Sequence, residues 1–233
     1  MIYIKRFDRA FLRIPKTGSE ALQLFLEQNV VDYSEDVISR PIRLIPSTES
    51  TSIKLYKTAL NTAAVFPTGH VSAAYTIDKE VCTTQTHFTG VIRDPLERQV
   101  SNFIYRLHKK EYVLQGTLAN TFKMYITNGI LTKEDYKHTM SQVDYFKYEG
   151  SLLPNVEFWP YPKFKEKLYQ FCESNNVEIK NPLQTINKSP GDKKKLIASL
   201  YTPDILEQVM DVYQEDFELY NSLMGTDSVS IRE

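Results

Sequence analysis

Phe11-Leu12-Arg13-Ile14-Pro15-Lys16-Thr17-Gly18-Ser19-Glu20-Ala21-Leu22 is the stretch on which the fold turns. The short apolar run Phe11 to Ile14 reads as a buried strand, and Ala21, Leu22, Phe25 and Leu26 then fall at helical spacing. Between them lies a turn with one lysine, one glycine and two hydroxyl residues. A strand that turns on a glycine into a helix start offers backbone N–H groups and the positive end of a dipole, which suits an anion. Lys16 adds a full charge, and Thr17 and Ser19 add hydroxyl donors. The nucleotide-triphosphate loop is a different object, because its lysine follows the second glycine and precedes the hydroxyl that holds magnesium. Here Lys16 precedes the only glycine of the turn. Thr17 and Glu20 stand three apart, the spacing of a capping box, and that alternative also accounts for both residues.

Working outward, a second unit of the same kind is His87-Phe88-Thr89-Gly90-Val91-Ile92-Arg93-Asp94-Pro95-Leu96-Glu97-Arg98. A strand is expected to end near Ile92 and a helix to begin at Pro95, with Asp94 as N-cap and Pro at the first helical position. Leu96, Val100, Phe103, Ile104 and Leu107 mark its apolar face. Two strand–turn–helix units with cations at their mouths predict an α/β fold with a parallel sheet, whose ligands bind beyond the C-terminal strand ends. Further along, residues 152–159 read as another strand, Phe164, Leu168, Phe171 and Cys172 as a helix face, and the chain from about Pro203 as one helix. The stripe of that last helix is Leu206, Met210, Tyr213, Phe217 and Tyr220. Ile53 to Val65 has helical character, and a short apolar piece lies near Ile42 to Ile45.

The 233 residues fit one domain, 1–233. With 42% hydrophobic and 24% charged residues the composition is that of a globular protein. Lys and Arg number 28 against 29 Asp and Glu, so no global charge points to nucleic acid or an anionic membrane, and any anion site must be a local concentration of basic groups. Cys82 and Cys172 stand in no metal-like or paired spacing, and reduced thiols are expected. The first residues are too short and too charged for a signal peptide, and no stretch approaches a membrane span. A cytoplasmic protein is the expectation.

Three motifs in order carry a resemblance. Pro15-Lys16-Thr17-Gly18-Ser19 resembles the loop that grips the 5′-phosphosulfate of PAPS (3′-phosphoadenosine 5′-phosphosulfate) in sulfotransferases. Arg93, with Ser101 eight positions on, resembles their 3′-phosphate element, and the spacing of a little over two helical turns makes physical sense. Gly69-His70-Val71-Ser72, between the two, is similar to a segment of the heparan sulfate 2-O-sulfotransferase branch whose histidine is the proposed base. Asn187-Lys188-Ser189 and the tyrosine-rich C-terminal helix resemble later family features. Glu20 departs from the pattern, since a hydroxyl residue is usual there.

The resemblance implies a P-loop-like three-layer fold, a central parallel sheet flanked by helices. It implies transfer of a sulfuryl group from PAPS to an acceptor hydroxyl, on a carbohydrate in the branch named, with PAP as product and no metal. Pro15, Lys16, Thr17, Gly18, Ser19, Arg93, Ser101, Lys188 and Ser189 would bind the cofactor, and His70 and Lys16 would be catalytic. A neutral imidazole near pKa 6.5 would suit the base. A P-loop-like nucleotide kinase and a non-catalytic PAP- or glycan-binding protein on the same fold are the alternatives.

Overall fold

The computed structural model describes residues 1–32, 34–38, 70–130, 136–184 and 193–225. The piece near Ile42, the helix expected over Ile53–Val65, Gly69, and Lys188 with Ser189 lie outside the described residues. Strand β1 (Ile2–Ile4) and β2 (Arg9–Leu12) form a hairpin through a 3₁₀ turn at Lys5–Phe7, closed by Asp8 at φ 43°. β2 pairs in parallel with β4 (His87–Ile92), and β4 in parallel with β7 (Val156–Pro160). The two-residue β3 (Val37–Ile38) pairs antiparallel with β1, giving the order β3-β1-β2-β4-β7. The sheet is therefore mostly parallel, with β1 reversed. A link as short as residues 5–8 allows only antiparallel pairing, because a parallel crossover needs a dozen residues or more. The first of the expected strands begins two residues early, at Arg9, whose guanidinium donates to Thr89 Oγ1 at 2.9 Å and pairs with Glu157 across the sheet. Strands β5 (Lys147–Tyr148) and β6 (Ser151–Leu152) form a separate small hairpin.

Alternation along the strands sends side chains to two apolar layers. Phe11, Val91 and Trp159 face Leu22, Phe25 and Leu26 of α1 (Ser19–Asn29) and Leu168 and Phe171 of the helix Phe164–Ser174. On the opposite face, Ala10, Leu12, Phe88 and Ile92 pack with Ala73 of α2 (Ala73–Asp78) and with Tyr145, Phe146 and Leu153. Gly90 in β4 is required by that layer: a Cβ there would stand 2.3 Å from Phe146 Cζ. A third cluster joins α3 (Pro95–His108) to α4 (Leu118–Met124) and to later helices through Phe103, Phe122, Tyr125, Leu200, Ile205 and Val209. After α4 come a π-helical turn (Tyr125–Ile130), the short α5 (Tyr136–Thr139), α6 (Phe164–Ser174), α7 (Lys193–Leu200), α8 (Pro203–Val212) and α9 (Gln214–Met224). Helices on both faces of a central sheet make the three-layer α/β fold.

The single C-terminal helix expected from Pro203 is two. Tyr213, at φ −115° and ψ 28°, breaks it between α8 and α9. The buried positions are Ile205, Val209, Tyr213 and Asp216, while Met210 is exposed.

Candidate active site

The loop between β2 and α1 opens at the C-terminal end of the parallel strands. Two of its residues are left-handed, Lys16 at φ 66° and Gly18 at φ 83°. Such a conformation costs a lysine about 1–2 kcal/mol, and strain of this kind clusters where ligands are held. Gly18 is the N-cap of α1 and no side chain caps the helix. The capping box expected of Thr17 and Glu20 does not form. Thr17 lies one position too early and donates its buried hydroxyl to the Ile14 carbonyl at 3.0 Å, so it holds the loop and does not donate into the cleft. The first-turn N–H groups are thus left to be met by something other than a capping side chain. A Cβ at Gly18 would meet the Tyr161 ring at 3.3 Å, so the position also lets the backbone pass close beneath that ring.

One cleft is lined by Pro15, Lys16, Gly18, Ser19, Arg93, Ser101 and His70. These residues come from the loop, the end of β4, α3 and the segment before α2. Lys16 Nζ lies 3.9 Å from the centre of the Tyr105 ring, and burial lowers its pKa, with Arg93 acting in the same direction and Glu20 opposing. Arg93 Nη1 donates to the Lys16 carbonyl at 3.0 Å, and Nε and Nη2 reach Glu97 Oε2 at 3.2 and 2.9 Å. Its guanidinium also stands 4.9 Å from the Tyr161 ring centre. Asp94 caps α3 by accepting from Glu97 N at 2.9 Å, with Pro95 at the first position, as the sequence led us to expect.

His70 Nδ1 lies 2.5 Å from the Arg13 carbonyl oxygen, which fixes the proton on Nδ1 and leaves Nε2 as the basic nitrogen. Burial, chiefly, pushes its pKa down to about 3, and Arg13, His138 and the N-terminal amine push the same way. The expected imidazole near 6.5 is therefore a strongly depressed one.

No protein-family model matches the chain, and none of the curated proteins matches it significantly in sequence. Solved structures do match. A mouse sulfotransferase, SULT7A1, complexed with PAP superposes with a TM-score of 0.52 at 14% identity, over 95% of this chain and 89% of that one. The chain has the sulfotransferase fold. A sulfotransferase from Alicyclobacillus acidocaldarius gives a TM-score of 0.48 at 13% identity, over 97% and 98%.

In this sulfotransferase fold further residues complete the cleft. Tyr105, Tyr161 and His138 also line the cleft, and the His138 ring stands 5.5 Å from that of His70, edge to face at 67°. Behind them Arg98, buried on α3, donates to the carbonyls of Pro15 (3.2 Å), Met140 (2.9 Å) and His138 (3.3 Å) and lies 3.9 Å from Asp216. Asp216 in turn accepts from Ser141 Oγ and from the backbone N–H of Gln142 and Val143. Gln142 clamps Arg93 by accepting from its N–H and donating to its carbonyl, both at 2.9 Å. Ile205, Val209, Tyr213 and Asp216 recur at helical spacing, so the buried face carries on across the break at Tyr213 with Asp216 on it.

Proposed function

We propose that the chain is a PAPS-dependent sulfotransferase whose acceptor is a saccharide hydroxyl. The observation that carries this reading is that Lys16, Ser19, His70, Arg93 and Ser101, from four separate segments, line one cleft beyond the ends of β2 and β4. The residues fit the cofactor: an uncapped helix start, a glycine under an aromatic ring, a desolvated lysine and a buried arginine converge there. The loop of Lys16, Gly18 and Ser19 with the start of α1 would hold the 5′-phosphosulfate, joined by Pro15 and Thr17 as the loop's frame. Arg93 and Ser101 would hold the 3′-phosphate, with Lys188 and Ser189 as further contacts. When bound, PAPS supplies the sulfuryl group and a phosphate leaving group. The saccharide class rests on the order of the three motifs.

The chain's own part is positioning and fixed charge. Lys16, held half out of water, puts a cation where negative charge grows on the leaving phosphate. His70 Nε2 is the base that takes the acceptor's proton. The Nδ1–H bond to Arg13 O fixes that ring and its tautomer. Radiolabelled PAPS offered with saccharide, phenolic and lipid acceptors tests the reading. Label in the saccharides is expected. Binding of PAP with no labelled product from any acceptor would favour a non-catalytic protein, and a magnesium requirement for nucleotide binding would favour a kinase.

A further inference from the structure

Residues 138–143, from the end of α5 into a 3₁₀ turn at Val143–Phe146, form a segment whose successive peptide units are tied to buried polar groups. Arg98 takes the carbonyls of His138 and Met140, and the Tyr213 hydroxyl takes that of Thr139 at 2.5 Å. Asp216 takes the Ser141 hydroxyl and the N–H groups of Gln142 and Val143. Buried backbone must be satisfied in any fold, but water or a short strand would serve that end without burying a guanidinium and a carboxylate. What the bracket fixes is its two ends. One end is Gln142, locked to Arg93; the other is His138, held in the cleft against His70.

We propose that His138 is a second catalytic residue of this cleft, receiving through His70 the proton that leaves the acceptor. The inference rests on the sulfuryl-transfer reading given above. In the transfer, the acceptor oxygen bonds to sulfur while the bond from sulfur to the bridging oxygen breaks, and its electron pair leaves on the 5′-phosphate of PAP. The acceptor proton passes to His70 Nε2; because Nδ1–H stays on the Arg13 carbonyl, the same Nε2–H then gives it to a ring nitrogen of His138 once the sulfated oxygen has moved away. His70 is a poor resting place for it, because it is buried among cations. Arg13 faces it from the end of β2, and Lys16 from the loop and Arg93 from the end of β4 line the same cleft, against the carboxylate of Glu20 on α1; the N-terminal amine is itself buried and its pKa is lowered well below the ordinary value. His138, half-buried like His70, is the ring beside it and takes the charge away from the Arg13 side. No sequence signal pointed to this residue; only the fold brings positions 70 and 138 together.

The test replaces His138 by Gln and, in a second variant, by Asn, in the full chain, after checking that both melt within a few degrees of wild type. Turnover with PAPS should fall about 10²-fold or more, with PAP affinity unchanged and the pH dependence of turnover altered in shape. The H70A/H138Q double variant should be no slower than H70A alone, since residues acting as one unit are not additive. Added imidazole should restore part of the turnover of H138A. Wild-type turnover in both folded variants, or multiplicative losses in the double variant, would overturn the inference while leaving the sulfotransferase reading intact. A parallel loss of PAP affinity would make His138 a cofactor contact and overturn it too. Absence of transfer by the wild-type chain would remove the sulfuryl-transfer reading and this inference with it.

Discussion

At the scale of the residue, the cleft is a set of groups whose surroundings change what their types ordinarily do. Lys16 is the plainest. Its side chain rests on a partly exposed tyrosine and supports little of the core, so Lys16→Ala should leave the melting temperature nearly unchanged. A charge-assisted hydrogen bond contributes about 1.5–3 kcal/mol, and a group acting on charge that develops during transfer costs about 10²–10³ in rate when removed. A folded Lys16→Ala with near-normal turnover would remove this lysine from the mechanism. His70 makes a prediction about stability. Its folded pKa of about 3 lies below its ordinary value of 6.5, so between those limits the unfolded chain binds the extra proton. Stability from this group is therefore full above pH 6.5 and is lost as pH falls toward 3. Replacing His70 by Gln should flatten that loss, by an amount on the order of a few kcal/mol at most. Urea titrations of both proteins at pH 7 and pH 4 measure it, and identical slopes against pH would show that His70 is not the group responsible. These residue properties were partly legible in the sequence. That Lys16, Arg93 and Ser101 belong together was expected from the family resemblance, and the fold does bring the three into one cleft. Thr17 was misread because a spacing of three fits a capping box wherever the helix starts, and the left-handed Gly18 starts it one residue later.

At the scale of the element, two devices set the shape of the cleft. The Arg98–Asp216 bracket ties the loop carbonyl of Pro15, the segment 138–143 and α9 together. Removing one partner of a buried, hydrogen-bonded charge pair leaves the other uncompensated, at a cost of about 3–5 kcal/mol. Asp216→Ala should lower stability by that amount. Asp216→Asn, which keeps an acceptor oxygen, should cost less and should lower turnover more than it lowers stability. Chemical denaturation beside transfer assays checks both, and a wild-type midpoint for Asp216→Ala would refute the bracket. Gly90 is the second device. Gly90→Ala pushes a methyl into the Phe146 ring, and overpacking of this kind costs about 1–3 kcal/mol. Phe146→Leu in the same chain should recover part of the loss, a rescue that a purely conformational role for the glycine would not give. The helices α1, α3 and α6 were legible because their apolar positions recur at helical spacing and, in α3, because Asp94 and Pro95 mark the start. The break at Tyr213 was not, because Tyr213 and Phe217 continue the apolar stripe; nor was the burial of Asp216, which is decided by partners more than 70 residues away. The reversal of β1 was likewise hidden, although the shortness of its link to β2 explains it once the pairing is seen.

At the scale of the whole molecule, a chain close to electrically neutral overall places Lys16 and Arg93 together in one cleft at the ends of parallel strands. The parallel α/β sheet was legible from two strand–turn–helix units, since each needs a sheet to pack on and an open end to face, and the three-layer arrangement was expected from the resemblance. The placement of His138 was not, since sequence carries no trace of a contact made by an irregular segment. Among the described residues no helix is long and apolar enough to cross a membrane. The central claim is that this cleft is built for a nucleotide carrying phosphates at both the 3′ and 5′ positions. The most direct measurement is the shift in melting temperature produced by PAP and by ADP at equal concentration without magnesium, in the wild-type chain and in Ser101→Ala. A ligand at about 100 times its dissociation constant stabilises by roughly 2.7 kcal/mol, which is several degrees for a chain of this size. The account predicts a clear shift with PAP, little or none with ADP, and a narrower gap in Ser101→Ala; equal shifts for the two nucleotides, or no shift with PAP, would contradict it.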